Sequence, residues 1–151
     1  MALHRLKYAQ SLPISTHEAW DFFSDPGNLC RITPEWLCFD IKNPDHGEMY
    51  PGMIIEYSIK ALAGMPMSWI TEITHVNKPD FFVDEQRLGP YRFWHHQHLF
   101  RATGQGTEIT DLVHYSLHLG YLAEPVHHFL IRPKLLKIFS FRKQVLEKIF
   151  K

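Results

Sequence analysis

From Met53 to His118 the chain keeps one rhythm: apolar and polar residues alternate in short runs separated by turns. Alternate residues of a strand point to the same side, so a period of two demands a sheet with one apolar face. The first run sets Met53, Ile55, Tyr57 and Ile59 against Glu56, Ser58 and Lys60, and further runs span Met67 to Val76, Phe81 to Leu88, Arg92 to Thr103 and Thr107 to His118. Ala63-Gly64-Met65-Pro66, Asn77-Lys78-Pro79-Asp80, Gly89-Pro90 and Gly104-Gln105-Gly106 separate them. Connections this short join antiparallel neighbours, which predicts a meander.

The flanking segments complete the pattern. Leu6, Tyr8 and Leu12 share one parity in a first strand from Leu3 to Leu12. Ser15 with Glu18 three places later predicts a reciprocally capped helix to about Ser24, burying Ala19, Phe22 and Phe23. Asp25-Pro26 opens a second short helix through Leu29 and Ile32. Leu37, Phe39 and Ile41 then predict strand two, starting at Trp36. After Gly120 the rhythm changes to threes and fours, with Val126, Phe129, Leu130, Leu135, Ile138, Phe139, Val145, Leu146 and Ile149 on a helix from Glu124-Pro125 to Phe150 that Pro133 should kink or interrupt.

On the Phe81–Tyr115 strands, Asp84, Gln86, His96, His98 and Asp111 fall at spacings of two beside Trp94, Phe100, Val113 and Tyr115. A face both greasy and polar points to a lined cavity, because each unpaired polar atom in a closed core costs about 1–3 kcal/mol.

The 151 residues fit one domain, with aromatics at 14% to fill a core or pocket. Sixteen basic residues balance sixteen acidic ones, which argues against holding nucleic acid through its phosphates. No window approaches the apolar length of a membrane span, and Cys30 and Cys38 are too few for a disulfide framework. A soluble, reduced, cytoplasmic setting is therefore expected.

One strand, two short helices, six strands and a long terminal helix together resemble the helix-grip fold of the START and birch-pollen-allergen superfamily, SRPBCC. Ala19-Trp20-Asp21-Phe22-Phe23-Ser24-Asp25-Pro26 with Asn28-Leu29 and Ile32-Thr33-Pro34 is similar to small bacterial polyketide cyclase/dehydratase-like ligand-binding members. So are Phe82-Val83-Asp84-Glu85-Gln86 with Gly89-Pro90-Tyr91, and Trp94 to Phe100 followed by Asp111. The resemblance implies an α+β fold, with a seven-stranded antiparallel sheet curved around the C-terminal helix as a single START-like domain over residues 1–151. It also implies a cavity lined by Tyr57, Trp69, Trp94 and Tyr115 from the sheet and closed by Phe129 and its neighbours from the helix. It transfers no universal catalytic residue.

Three accounts of the polar residues stay open. His96-x-His98 can bring two imidazoles to one metal ion, with Asp111 as third ligand if the Gly104–Gly106 turn sets the register. Asp84 or Asp111 can fix the tautomer of His96 or His98 for acid–base chemistry, which makes His96, His98 and Asp111 the catalytic candidates. A buried hydrogen-bond network that fixes the sheet register is preferred to catalysis. No metal and no cofactor are expected. His114, His118, His127 and His128 are further proton donors, expected mostly to face solvent.

Seven cations lie between Arg132 and Lys151 against one acid, Glu147. Arg142, Lys143 and the rest are expected on the outer side of the gripping helix, complementing its dipole, with a membrane-surface helix as the alternative. The expected partner is a small hydrophobic molecule, oriented by Asp84, Gln86, His96, His98, Asp111 and Tyr115. No nucleic acid and no stable membrane insertion are expected, and a homodimer is left open. The alternatives are a cyclase, aromatase or dehydratase working in the same cavity, and an interaction module docking through exposed aromatics or the basic helix.

Overall fold

The computed structural model describes residues 2–44, 47–60 and 64–151, so Ala63 of the expected Ala63–Pro66 turn lies outside it. β1 (His4–Leu12) leads into α1 (Thr16–Phe23), whose N-terminus carries the expected capping box: Ser15 Oγ accepts from Glu18 N–H while the Glu18 carboxylate accepts from Ser15 N–H. α2 (Pro26–Arg31) starts at Asp25, whose side chain accepts from Gly27 N–H. β2 (Asp40–Ile41), β3 (Ile54–Ile59), β4 (Met67–Asn77), β5 (Phe81–Leu88), β6 (Phe93–Thr103) and β7 (Gly106–Ser116) follow. They form one antiparallel seven-stranded sheet in the order β1-β7-β6-β5-β4-β3-β2.

One local reading is corrected. Strand two does not begin at Trp36: Glu35–Leu37 is a single tight turn, Cys38 takes a left-handed conformation at φ 47°, and only Asp40 and Ile41 pair. The C-terminal helix winds without a gap from Ala123 to Ile149, interrupted ahead of Pro133 by a π segment, within the expected kink or interruption. Gly120–Leu122 forms a tight turn, α3 (Ala123–Val126) follows, His127–Ile131 winds as a wider π turn, and α4 runs over Arg132–Ile149. Pro133 has no N–H to give Phe129, and Arg132 N–H reaches back five residues to His127 O.

The sheet curves because β4 and β5 slip register at Ile70/Thr71 and again at Ile73/His75, and such irregularities bend a strand pair. Its concave face receives α1 at one end, where Trp20 meets Phe82 and Phe100 edge-on at 5.8 and 6.2 Å. α4 crosses the same face, held to β1 by Gln10 Nε2 donating to Lys143 O at 3.0 Å and by Tyr8 against Phe139. Gly106 locks the β6–β7 hairpin: its φ is 139°, and a Cβ there would stand 2.1 Å from Leu12 O. Thr103 therefore pairs with Gly106 across a two-residue turn, which fixes the register of everything beyond.

Candidate functional site

β6 alternates strictly. Trp94, His96, His98 and Phe100 are buried on the concave face, while His95 and Gln97 face outward, His95 Nδ1 lying 2.7 Å from Glu85. The hairpin register sets Asp84 opposite His96 and Asp111 opposite His98. The short contacts run diagonally across these pairs. His96 Nε2 bonds Asp111 Oδ1 at 2.8 Å, and His98 Nε2 bonds Asp84 Oδ2 at 2.6 Å, with the two rings 3.8 Å apart. His96 and His98 are 5% and 6% exposed, so this is an interior charge cluster.

Burial alone would push the Asp111 carboxyl up, but its bond to His96 and the nearby His98 and Arg142 hold it far below the usual carboxylate range. Asp84 is lowered in the same way: burial is outweighed by His96, His98 and Arg142. Burial, reinforced by the neighbouring His98, lowers His96. For His98 burial also opposes charge, yet Asp111 and Asp84 together outweigh it and raise the group. The two imidazoles are therefore pushed apart, His98 toward the charged form and His96 toward the neutral one.

Beside the cluster is a cavity of about 310 Å³, within the range of small-molecule sites. Tyr57, Trp69, Asp84, Trp94, His96 and His98 reach its wall, as do Ile55, Ile73 and Phe82. Burial raises the Tyr57 and Tyr91 phenols, which stay protonated. Trp36, Leu119 and Leu130 are at once lining and solvent-exposed, so the cavity opens between them.

Four expected wall residues lie elsewhere. Phe129 is 80% exposed and points away; the π turn rotates the chain, so Val126, Leu130, Ile131, Leu135, Ile138 and Phe139 line the helix side. Gln86 spends its amide on Tyr91, donating to Tyr91 O at 2.7 Å and accepting from Tyr91 N–H at 3.2 Å. It braces the Gly89–Tyr91 turn. Asp111 sits behind the histidines, and the Tyr115 hydroxyl bonds His127 Nε2 at 2.8 Å near the sheet edge.

Tyr91 and Arg142 are among the wall residues that were not foreseen. Tyr91 packs 4.7 Å from Trp94 and 5.7 Å from Trp69, completing an aromatic corner. Arg142 was expected on the outer side of α4; instead it is 7% exposed and lines the cavity. The spacing held the signal, since Leu135, Phe139, Arg142 and Leu146 recur at threes and fours as the buried stripe of α4.

Asp84, His96 and His98 also have ligand atoms close enough together to hold a metal ion, with Asp84 rather than Asp111 as the carboxylate. Two ligands at zinc distances stand roughly 3.3 Å apart, so a metal would have to part Asp84 from His98, now in hydrogen-bond contact. A second such group, His4, Glu124 and His127, lies at the sheet edge.

No protein-family model and no curated protein matches the chain. Solved structures do. Protein CV1439 from Chromobacterium violaceum superposes with a TM-score of 0.74 at 10% identity, over 97% of this chain and 96% of its own. Ginseng major latex-like protein 151 from Panax ginseng gives 0.70 at 14%, over 99% and 98%. The di-domain ARO/CYC StfQ from the steffimycin biosynthetic pathway gives 0.70 at 11%, over 98% of this chain and 50% of its own. The fold is the helix grip. At these identities the helix-grip likeness carries architecture and no activity. Among the described residues no helix is long and apolar enough to cross a membrane.

Proposed function

We propose that this protein binds a small, largely hydrophobic molecule, lipid-like or polyketide-like, between the concave sheet and α4. The observation that supports this reading most is the 310 Å³ cavity, walled by aromatic and aliphatic side chains with one polar cluster at its edge. Apolar contact supplies affinity at about 25 cal/mol per Å² removed from water, and the polar cluster orients the guest. The even balance of charges supports a role away from nucleic acid. Native mass spectrometry of freshly purified protein tests the proposal: a co-purifying hydrophobic molecule, lost in a cavity-filling Ile73→Trp variant, is expected. An unliganded protein that takes up no hydrophobic probe would overturn it.

A cyclase-, aromatase- or dehydratase-type enzyme is the second reading, and one observation favours it. His98 has a carboxylate on Nε2 while its Nδ1 has no hydrogen-bond partner, the arrangement of an oriented acid–base imidazole. His98→Gln should then abolish turnover of a bound carbonyl compound while sparing its binding.

A further inference from the structure

Arg142 stands on the helix stripe that otherwise carries Leu135, Phe139 and Leu146. Its guanidinium lies 5.0 Å from the centre of the Phe139 ring. Among the described residues, nothing accepts a hydrogen bond from its Nε or Nη1, although both are buried. The nearest carboxylate oxygen, Asp111 Oδ1, is 3.6 Å from Nη1 and already receives His96 Nε2 at 2.8 Å. His98 Nδ1 is similarly placed: buried, unbonded and 3.3 Å from the same oxygen. Three nitrogens thus crowd one acceptor at the edge of an apolar cavity.

Buried donors without acceptors are costly, charged ones most of all, and a ligand oxygen removes that cost on binding. We propose that Arg142, with His98 beside it, anchors the carboxylate of a monocarboxylic amphiphile whose hydrophobic body fills the cavity. This rests on the ligand-binding reading and names its chemical class. A single negative charge suits the site. Asp84 and Asp111 balance Arg142 and a charged His98, so the empty site is neutral; one guest carboxylate brings it only to −1, held by the unbonded Arg142 and His98 donors, whereas a doubly charged head would bring it to −2. Asp84, the acid on the cavity wall, is already engaged by His98 Nε2. The planar fork of arginine matches a carboxylate edge-on, which a lysine ammonium does not.

The test compares decanoate with decanol, one body with two heads, by quenching of Trp69 and Trp94 on the cavity wall. Wild-type protein is expected to hold decanoate at least tenfold tighter than decanol. Arg142→Met should erase that preference with decanol affinity kept, Arg142→Lys should keep part of it, and Lys134→Met, at a second cation of the lining, should leave it intact. Equal binding of acid and alcohol by wild type overturns the anchor and leaves the hydrophobic site standing, and this arm needs no variant to fold. A preference that survives Arg142→Met, or disappears with Lys134→Met, overturns it as well. Failure of both probes to bind removes the site and the anchor together.

Discussion

Two histidine pairs in this molecule are built from similar parts and placed in different media. His96 and His98 lie in the interior with Asp84, Asp111 and Arg142, and both rings have a carboxylate within 2.8 Å. At the sheet edge His4 and His127 stack at 3.5 Å, with Glu124 3.6 Å from His4 and the Tyr115 hydroxyl on His127. Glu124 is largely exposed, so water shares in that pair's balance. Inside, each charge must be answered by another protein group, and removing one member strands the rest. The same residue types therefore make a strongly coupled cluster in one place and a weakly coupled one in the other.

The comparison breaks most decisively at Asp111. Asp111→Ala leaves Arg142 and His98 buried without their shared carboxylate, and chemical denaturation should show a loss of about 3–5 kcal/mol. A loss below about 1 kcal/mol, the ordinary value for an exposed pair, would make the interior cluster no different from the edge.

His98→Gln sharpens the contrast through pH. The raised His98 contributes stability that is fully present below 6.5 and lost as pH rises through its higher folded value. The wild-type advantage over His98→Gln should thus shrink from neutral to alkaline pH, as read from melting temperatures. The lowered Asp84 and Asp111 act oppositely, contributing stability above 3.8 that disappears on acidification. His127, lowered mainly by burial and next by His4, disfavours the folded state as pH falls below 6.5. A pH-independent difference between the two proteins would rule out a charged His98.

At the edge, Tyr115→Phe deletes one hydrogen bond to His127 and should cost about 0.5–1.5 kcal/mol, with probe binding unchanged. An effect as large as that of Asp111→Ala would place the edge pair in the same coupled class. Phe129→Ala, on a side chain 80% exposed, should shift stability by no more than about 0.5 kcal/mol and leave tryptophan quenching untouched.

Strand order and the inward parity of Trp94, His96, His98 and Phe100 were legible in the sequence because each side of the sheet meets a different medium, and composition records that difference. Parity says which side a residue takes, without saying how far along the cavity it lies. Asp111 and Tyr115 are accordingly inward, yet one sits behind the histidines and the other bonds His127. Phe129 was misplaced because a periodicity of 3.6 assumes an unbroken helix, and the extra residue in the π turn before Pro133 rotates the face. Arg142 was hidden by its type: a cation reads as outward even where its spacing continues the buried stripe. Leu37, Phe39 and Ile41 mimic a strand because a tight turn and a left-handed Cys38 also alternate exposure.

The π segment ahead of α4 divides the gripping helix into two stretches with different surroundings. Downstream, α4 is clamped to β1 through Gln10 and carries Arg142; upstream, short turns expose Tyr121, Leu122 and Phe129 and border the opening at Leu119 and Leu130. Amide exchange should be fast across Gly120–Ile131 and slow along the α4 turns next to Gln10, so a guest can pass the threshold without loosening the residues that will hold it.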